Sequence, residues 1–455
     1  MNTVGTSSQR VDAVLGIDIG STNVKVVALD AAGHVVARVR RTTPRPTEDP
    51  SIDAALLFDT IEEMALAACG DRYTVAAACA AGVGEDGVLV DTALTPLTRA
   101  LAWFDPRRIE LLQALRPRLG PDDGMGTSTD AARTLVGWAW ARSLPGTERA
   151  ASWIALTDYV ACRWSNTAFL SDTLAARTGA WRPPSRTWLD ARVEATLGSL
   201  DLLPPVLPTG TAVAELRSPR LSDAGALAPG ALVVAGGHDH PVGGWGVDRL
   251  HPGAVLDSMG TAEVVVAQTP APSTPAPQAV DVSPGIHNPT GATVLRVEEL
   301  ARNIQWASRD PEVAHAVNRL ISGSAAPDSC LHSRAFHPGA AGGRPPGYAP
   351  DAPTEPFSRA SAVLGALAAL GENAITAVQA LTTAHAPVFT AGGWARSQGW
   401  TDIKQAVTGR EPQVIAEPEV TAVGAALLAA HALGWKPDTA RALGTSPKSP
   451  ANTAG

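Results

Sequence analysis

One arrangement occurs twice in this chain and limits the folds that it can adopt. An apolar stretch, residues 14–19, is interrupted by a bend that begins at Gly20 and resumes at residues 24–29. The same order returns in the second half, where residues 254–267 are apolar on both sides of a bend at Gly260. Such stretches are typical of buried β-strands, and the bend residues favour tight turns. The sequence therefore predicts two similar lobes, each opened by a hairpin, that face a shared cleft.

Helical and strand patterns alternate along the rest of the chain, which indicates the α/β class. The predicted strands are residues 75–83, 88–91, 231–235 and 388–391. The predicted helices are residues 52–69, 311–323 after an Asp310 cap, 360–381, 398–407 and one that ends at Gly434. Segments rich in Pro, Ala and Ser, 269–289 and 337–356, favour loops. We expect an N-terminal lobe over 11–250, a C-terminal lobe over 251–436 and a mobile tail over 437–455.

Composition excludes several classes of protein. Of the 455 residues 45% are hydrophobic, enough for one large core or two ordinary ones. The net charge of −8, with no basic stripe, argues against a nucleic-acid-binding surface. The four cysteines lack CxxC spacing and predict reduced core residues rather than a metal cage. No signal-peptide pattern is present, and the longest uncharged apolar run, 420–434, is too short to cross a bilayer, so we expect a soluble cytoplasmic protein.

The first bend carries the residue types of a phosphate clamp. Backbone amides and hydroxyl groups at a glycine-led bend donate to phosphate oxygens, and an acid at the end of the preceding strand can hold magnesium. An ordinary hairpin turn uses the same residue types, so that alternative stays open. The predicted nucleotide-binding residues here are Asp18, Gly20, Ser21, Thr22, Asn23 and Lys25.

The second bend, Gly260 and Thr261, is a weak signal when taken alone. Its value comes from the pairing, because two such bends on opposite lobes can grip a polyphosphate from both sides and position its terminal phosphoryl group.

A third glycine-rich segment follows the predicted strand 388–391 and precedes a helix. Gly392 and Gly393 allow the backbone to lie close to a purine and its ribose, and the helix N-terminus suits anionic oxygens. The alternative is a strand-to-helix turn that needs glycine for its dihedral angles. Trp394 and Ser397 complete the predicted adenosine site.

A cluster of His238, Asp239 and His240 ends the predicted strand 231–235. Phosphorylation of an alcohol needs a carboxylate that accepts the hydroxyl proton, and Asp239 is the candidate general base. A helix N-cap before Pro241 is the alternative role, and the two are compatible. The histidines are candidates for binding substrate hydroxyls or for packing, and three alternating polar residues do not predict a metal site without further ligands.

Another polar segment in the first lobe is a candidate acceptor site. Carboxylates and an arginine at strand ends suit the recognition of several hydroxyl groups, and an indole face suits the apolar side of a sugar. The alternative places Trp103 in the core and Asp105 as a helix cap. The predicted substrate residues are Glu85, Asp86, Trp103, Asp105 and Arg107, together with His238 and His240.

Taken in order along the chain, these segments resemble the FGGY family of carbohydrate kinases, in the actin-like sugar kinase superfamily. GIDIGSTNVKVVALD resembles the first phosphate motif of the family, WFDPR its substrate segment, and GGHDH the segment that carries its base. DSMGTAEVVV is similar to the second phosphate motif. FTAGGWARSQGWTDIKQAVTGREPQVI resembles the adenosine motif of the family, and EPEVTAVGAALLAAHALG resembles its closing helix.

The resemblance implies a duplicated ribonuclease-H-like fold and transfer of the γ-phosphoryl group of ATP to a hydroxyl of a sugar or polyol. It places Asp18 and Asp239 near Mg²⁺, and Thr22 and Thr261 near phosphates. It also implies that Gly392 and Gly393 line the adenine pocket and that Glu85, Trp103 and Asp105 face the acceptor. A homodimer is one option for assembly. The alternative function is a nucleotide-binding regulator or scaffold of the same fold that phosphorylates no acceptor.

The chain also departs from the motifs of the proteins that it resembles. It has Gly84, Glu85, Asp86 and Gly87 where xylulokinases usually carry Gln-Met-His-Gly, and Gly84 stands where glycerol kinases have an arginine. Trp394 replaces the usual third glycine of the adenosine motif. The resemblance therefore does not identify the acceptor.

Overall fold

A computed structural model describes residues 10–122, 125, 127, 129–270, 280–340, 344–382 and 385–445. The chain divides into two compact units. Unit 1 runs to Gly246 and takes back residues 421–442, and unit 2 holds residues 247–420 and the chain after 442. The predicted lobes, 11–250 and 251–436, differ from these units mainly in the placement of 421–442.

Unit 1 is built on a six-stranded sheet with the order β11-β12-β4-β1-β2-β3. Its strands, including short ones outside this sheet, are β1 (Val11–Ile19), β2 (Asn23–Asp30), β3 (Val35–Thr42), β4 (Tyr73–Gly82), β5 (Gly87–Val90), β6 (Ser152–Ala155), β7 (Leu170–Ser171), β8 (Trp181–Arg182), β9 (Thr187–Trp188), β10 (Val206–Leu207), β11 (Ala212–Glu215) and β12 (Leu227–His238). The predicted first hairpin is confirmed, because β1 pairs antiparallel with β2.

The helices of unit 1 cover this sheet and a separate tryptophan-rich core. They are α1 (Ala54–Cys69), α2 (Arg107–Leu115), α3 (Thr134–Arg142), α4 (Leu156–Ser165), α5 (Asp172–Ala175), α6 (Asp190–Thr196), α7 (Pro219–Asp223) and α8 (Asp239–Asp248). The start of α1 is fixed by Asp53, whose side chain accepts from the amides of Ala55 and Leu56. The second core contains Trp138, Trp153 and other apolar residues of α3, β6 and β8.

The position of the end of β12 depends on a close approach to β4. β12 runs parallel to β4, and β4 runs parallel to β1. A Cβ atom on Gly236 would lie 1.6 Å from the carbonyl oxygen of Ala80 in β4, so only glycine allows this contact. The carboxyl ends of β1, β4 and β12 therefore meet at one edge of the sheet.

Unit 2 repeats the hairpin-led arrangement in a sheet with the order β15-β16-β14-β13-β19-β20. Here β13 pairs antiparallel with β14 and parallel with β19, as β1 pairs with β2 and β4. The strands are β13 (Val255–Met259), β14 (Glu263–Thr269), β15 (Asp281–Gly285), β16 (Asn288–Glu298), β17 (Phe336–His337), β18 (Gly347–Tyr348), β19 (Val388–Ala391) and β20 (Gln413–Val414). The helices are α9 (Leu300–Ala307), α10 (Pro311–Ile321), α11 (Pro356–Gln379) and α12 (Gln398–Thr408). The predicted Asp310 cap of α10 is confirmed.

One helix among the described residues, α11, is long and apolar enough to cross a membrane by length and composition alone. Of its most apolar stretch 61% is buried within the protein. Its side chains pack in the core of unit 2, for example Leu364 and Leu367. This environment is typical of the central helix of a globular unit.

Two predictions of irregular structure are corrected. Residues 281–285 form the edge strand β15, whereas the sequence predicted a loop through 289. The chain beyond residue 436 was predicted to be a mobile tail, yet after α13 (Val420–Ala432) it forms α14 (Thr439–Ala442), and Leu443 is buried. Residues 446–455 of that predicted tail and residues 271–279 of the predicted loop lie outside the described residues.

Candidate active site

The carboxyl edge of the unit 1 sheet gathers acidic side chains from separate parts of the sequence. Asp18 lies near the end of β1, where its carboxylate is 2.7 Å from the Nζ atom of Lys25 on β2. Glu85 follows β4, and His238 and Asp239 follow one another at the end of β12. In open α/β sheets this edge is where ligands bind. The structure thus brings four predicted site residues to the same edge, namely Asp18, Glu85, His238 and Asp239.

Asp239 is the first residue of α8, and 23% of its side chain is exposed. Its Oδ1 atom accepts from the amide of His240, the next residue, at 2.7 Å and lies 3.2 Å from the Nε2 atom of His238. An N-cap side chain accepts from an amide two or three residues further on, so this contact is not the predicted cap. Burial raises the pKa of Asp239, and the charges of Asp18 and Glu85 raise it too, while His240 lowers it. A carboxylate with a raised pKa is a better proton acceptor at neutral pH.

His238 is buried beside this carboxylate and acts as a neutral ring. Its amide donates to the Oγ1 atom of Thr173 at 3.1 Å. Burial lowers the pKa of His238 well below its usual value, and the positive charge of Arg177 lowers it further. Its predicted contact with a substrate hydroxyl is therefore expected from an imidazole rather than an imidazolium.

The backbone of the bend between β1 and β2 is fixed by two hydrogen bonds at Gly20. The amide of Gly20 donates to the carbonyl of Asn23 at 3.1 Å, and the hydroxyl of Thr43 donates to the carbonyl of Gly20 at 2.6 Å. Thr22 is exposed at the tip, and Ser21 is half-buried. The exposed hydroxyl is accessible to an anionic ligand, as the phosphate-clamp prediction requires.

Glu85 is oriented by a partner that the sequence analysis did not identify. Its Oε1 atom accepts from the Nε atom of Arg177 at 2.7 Å, and its Oε2 atom accepts from the amide of Gly84 at 3.1 Å. A Cβ atom at position 84 would lie 2.8 Å from both the Arg177 side chain and the His238 ring. The departure at Gly84 thus makes room for the Arg177–Glu85 ion pair.

Trp103 is exposed, whereas Asp105, two residues later, is buried. Trp103 is 40% exposed, so the alternative that places it in the core is wrong, and its ring meets the Phe104 ring edge-on. Asp105 is buried and accepts from the amide of Arg107, which begins α2, at 2.9 Å. Burial alone would raise the pKa of Asp105, but the hydrogen bonds and charge of Arg107 lower it. Asp105 therefore accepts from the first amide of α2 and fixes the guanidinium of Arg107, whose Nη2 atom is 2.6 Å away.

Asp86 lies behind this surface, fully buried, with Nη2 of Arg108 3.5 Å from its Oδ1 atom. Burial raises the pKa of Asp86 to about 7, against the opposing charge of Arg108. Arg108 itself donates to the carbonyls of Leu101 and Ala102 at the entry to α2. Asp86 was predicted to bind substrate, but its carboxyl group has no exposed surface.

In unit 2 the bend between β13 and β14 is exposed at both Gly260 and Thr261. The Gly260 amide donates to the carbonyl of Ala262 at 2.9 Å, and the Thr261 carbonyl accepts from the amide of Ala301 at 2.9 Å. The bend is therefore fixed by its backbone, while the hydroxyl of Thr261 is left at the surface.

The glycine-rich segment after β19 lies directly against the strand that leads into this bend. Gly392 has a φ of 95°, and a Cβ atom there would lie 2.2 Å from the carbonyl oxygen of Met259. Gly393 is exposed and has nothing within 4 Å of the equivalent position. Trp394 opens a short 3₁₀ turn and packs edge-on against Trp400, and the hydroxyl of Ser397 donates to the carbonyl of Ile321 at 2.5 Å. Both predicted nucleotide segments of unit 2 are thus in contact through β13.

Comparison with known proteins decides the family. Residues 13–246, just over half of the chain, match the N-terminal domain of the FGGY family of carbohydrate kinases. The chain belongs to the FGGY family. This kinase is 28% identical over 441 residues to a xylulose kinase from Streptomyces rubiginosus, an alignment that covers 92% of this chain and 88% of the relative. It is also 24% identical to a gluconokinase from Bacillus subtilis, with 92% and 88% covered.

Solved structures confirm the predicted fold class. A xylulose kinase from Rhodospirillum rubrum superposes with a TM-score of 0.79 at 19% identity and covers 95% of this chain, with 92% of its own length matched. A glycerol kinase from Plasmodium falciparum with ADP gives a TM-score of 0.78 at 13% identity, covering 97% and 94% of the two chains.

The family assignment confirms the predicted activity class. The FGGY kinase is an ATP-dependent phosphotransferase that acts on an alcohol group, and its substrate is a small sugar or polyol. Nothing in the comparisons supports the alternative of a regulator without acceptor chemistry. The roles of individual residues remain predictions.

A buried ion cluster in unit 2 of the kinase was missed by the sequence analysis. The Nζ atom of Lys404 on α12 lies 2.6 Å from Asp257 of β13 and 2.5 Å from Glu263 of β14. Burial, and then the charge of Asp257, raises the pKa of Glu263 to about 8. The cluster links β13 and β14, the two strands on either side of the Gly260 bend, to α12. No local motif marks it, because Lys404 is separated from Asp257 by 147 positions.

Proposed function

We propose that this kinase uses Asp239 as the general base that accepts the proton of the acceptor hydroxyl while the γ-phosphoryl group of ATP is transferred. The observation that carries the proposal is a carboxylate of raised pKa, partly exposed, at the sheet edge that also holds Asp18 and Glu85. An alcohol is a weak nucleophile, so removal of its proton as the bond to phosphorus forms lowers the barrier.

We assign Mg²⁺ binding to Asp18 and Asp239. The two side chains are close enough for the charge of Asp18 to raise the pKa of Asp239, and carboxylate oxygens are the ligands that Mg²⁺ prefers. The donor set therefore fits the metal that the family fold implies. When bound, Mg²⁺ supplies positive charge that offsets the charge of the phosphate oxygens. Lys25, beside Asp18, adds a second positive group at this edge.

We assign ATP to the exposed bends and the glycine-rich segment. Gly20, Ser21, Thr22 and Asn23 offer backbone amides and hydroxyls to phosphates, and Gly260 and Thr261 offer the same groups in unit 2. Gly393 is the open position at which a purine ring can approach the backbone, next to Gly392, Trp394 and Ser397. In this proposal the Trp394 ring lines the adenosine site, and its edge-on packing against Trp400 fixes its position.

We assign the acceptor to the surface formed by Glu85, His238, His240, Trp103 and Arg107. Glu85 is a carboxylate that is held in an ion pair by Arg177, and its remaining lone pairs serve as oriented acceptors for sugar hydroxyls. The exposed indole of Trp103 suits the apolar face of a carbon skeleton. Asp105 positions Arg107, and Asp86 supports Arg108 from within.

The expected setting is the cytoplasm, where ATP and phosphorylated sugars are used, with the chain acting alone or as a homodimer. No nucleic-acid or membrane partner is included in the proposal.

The central test is Asp239→Asn, with ADP release measured across pentuloses, hexoses, polyols and sugar acids. Turnover should fall by about 10²–10⁴-fold, the usual contribution of a general base, while nucleotide binding persists. Asp190→Asn, which changes an exposed aspartate at the start of α6, is the matched control and should leave turnover unchanged. Near-normal turnover of Asp239→Asn would remove the residue from the mechanism.

A further inference from the structure

The side chains of His238, Asp239 and His240 form a compact group of three possible metal ligands. One ligand atom from each residue lies within 4.8 Å of the other two, and no second group of His, Cys, Asp and Glu with this spacing is found in the part of the chain that the structure describes. The two imidazole rings stand at 81° with their centroids 5.4 Å apart. Both Nε2 atoms approach the same oxygen of Asp239.

The distances suit a small tetrahedral ion better than a set of hydrogen bonds. Ligand atoms about 2.0–2.1 Å from a tetrahedral metal lie about 3.3–3.4 Å from each other. The Nε2 atoms of His238 and His240 are 3.2 Å and 3.6 Å from Oδ1 of Asp239. A separation of about 3.6 Å is too long for a hydrogen bond. The two histidine–aspartate distances therefore bracket the value expected around a bound metal.

The surroundings support this geometry in two ways. The buried Nδ1 atom of His238 has no hydrogen-bond partner among the described residues, so Nε2 beside Asp239 is the only polar contact found for the ring. Asp18 and Glu85 are close enough for their charges to act on Asp239, which makes the region favourable for a cation. The nearby guanidinium of Arg177 is paired with Glu85.

We propose that His238, Asp239 and His240 form a site for a divalent transition metal of the Zn²⁺ type, with its fourth position open. Two imidazole nitrogens and one carboxylate are donors that suit Zn²⁺ and are poorly suited to Mg²⁺, which prefers oxygen ligands alone. A Zn²⁺ ion held by both imidazoles takes Oδ1 of Asp239, the oxygen that both Nε2 atoms approach, and competes for it with Mg²⁺ and with an acceptor hydroxyl. Metal binding requires only the geometry, whereas this inhibitory consequence rests on the proposed function.

The experiment uses the full-length protein after treatment with a chelator. Calorimetric titration with Zn²⁺ should show one site for each chain, and Co²⁺ should give the intense visible absorption of a low-coordinate complex that excess Mg²⁺ does not remove. His238→Gln and His240→Gln should each weaken Zn²⁺ binding by at least about tenfold, the loss that even an outer-shell change can cause. Because His238 is buried, His240→Gln, on a half-buried side chain, is the variant expected to keep the fold; circular dichroism checks both.

The matched control is His34→Gln. His34 is an exposed histidine whose Nδ1 atom is 2.9 Å from the carboxylate of Asp30, so it offers a histidine–carboxylate pair outside the site. Its loss should leave Zn²⁺ affinity unchanged. Absence of stoichiometric binding, or equal binding by wild type and His240→Gln, would overturn the metal site. Turnover of the chelator-treated protein with Mg²⁺-ATP tests the kinase proposal separately, since it requires no Zn²⁺.

Discussion

At the scale of single residues, buried carboxyl groups make the stability of unit 1 depend on pH. Burial raises the pKa of Asp158 to about 7, although the hydroxyl and amide of Ser171 both donate to it at 2.6 Å. Asp86 shows the same direction and value. The folded state then holds these protons more tightly than the unfolded state does. Stability is greatest below the unfolded pKa and falls as pH rises towards about 7, by at most about 1.4 kcal/mol per pH unit for each group.

We expect Asp158→Asn to reduce this pH dependence. The asparagine carbonyl can accept from the Ser171 amide and its NH₂ group can donate to the Ser171 hydroxyl, so both contacts survive without a titrating group. The measurement is the midpoint of chemical unfolding between pH 5 and pH 8, where the variant should show a shallower decline than wild type. Asp190→Asn, at an exposed site, should keep the wild-type slope. Identical slopes for all three proteins would contradict the assigned burial effect.

The residues that sequence analysis found and missed differ in how local their signals are. Asp239 could be predicted because Gly-Gly-His-Asp-His follows an apolar strand within a few positions. Arg177 could not, because it meets Glu85 across 92 positions and follows a four-residue helix without a recognisable motif. Asp86 is of a residue type that binds sugar hydroxyls, so the sequence predicted a substrate role for it. Its burial against Arg108 depends on tertiary packing, which no local sequence pattern encodes.

At the scale of elements, the packing of α11 on β14 depends on Gly371. A Cβ atom on Gly371 would lie 2.1 Å from the Oε1 atom of Glu263. Glu263 is buried and held by Lys404, so its carboxylate cannot move aside without losing that ion pair. Helix propensity alone predicts that alanine stabilises this position by about 1 kcal/mol. The steric argument predicts the opposite sign.

We expect Gly371→Ala to lower the free energy of unfolding of unit 2 by about 1–3 kcal/mol, the usual cost of overpacking a core. Chemical unfolding followed by tryptophan fluorescence measures the change. Gly347→Ala is the matched control, because nothing lies within 4 Å of its added Cβ atom. A variant at 371 that is as stable as wild type would show that Glu263 has an alternative position.

The elements themselves were largely predictable, and the main exception has a physical reason. Both hairpins follow from long apolar stretches broken by glycine, a pattern that tertiary context rarely overrides. The strand β15 was missed because Pro284 and Gly285 favour a loop. At the edge of a sheet proline is tolerated, since one side of the strand needs no hydrogen-bond donor, and β15 is the outermost strand next to β16.

At the scale of the whole molecule, the two substrates are assigned to different sets of residues, and this division can be tested by a crossed pair of variants. Gly260 has only the Ala262 carbonyl, at 3.9 Å, near an added Cβ atom, so the bend has room for a side chain to start there. Gly260→Val therefore fills the space assigned to a phosphate. Glu85→Gln keeps the size of a side chain assigned to the acceptor and removes its charge.

We expect Gly260→Val to raise the KM for ATP by about tenfold or more, equivalent to about 1.4 kcal/mol, with little change in the KM for the acceptor. Glu85→Gln should do the reverse, because sugar hydroxyls donate less strongly to a neutral amide than to a carboxylate. Steady-state kinetics with each substrate varied in turn measures both effects. If either variant raised both KM values equally, the cause would be a general loss of structure, and the assignment of separate ATP and acceptor residues to the two bends and to Glu85 would have to be abandoned.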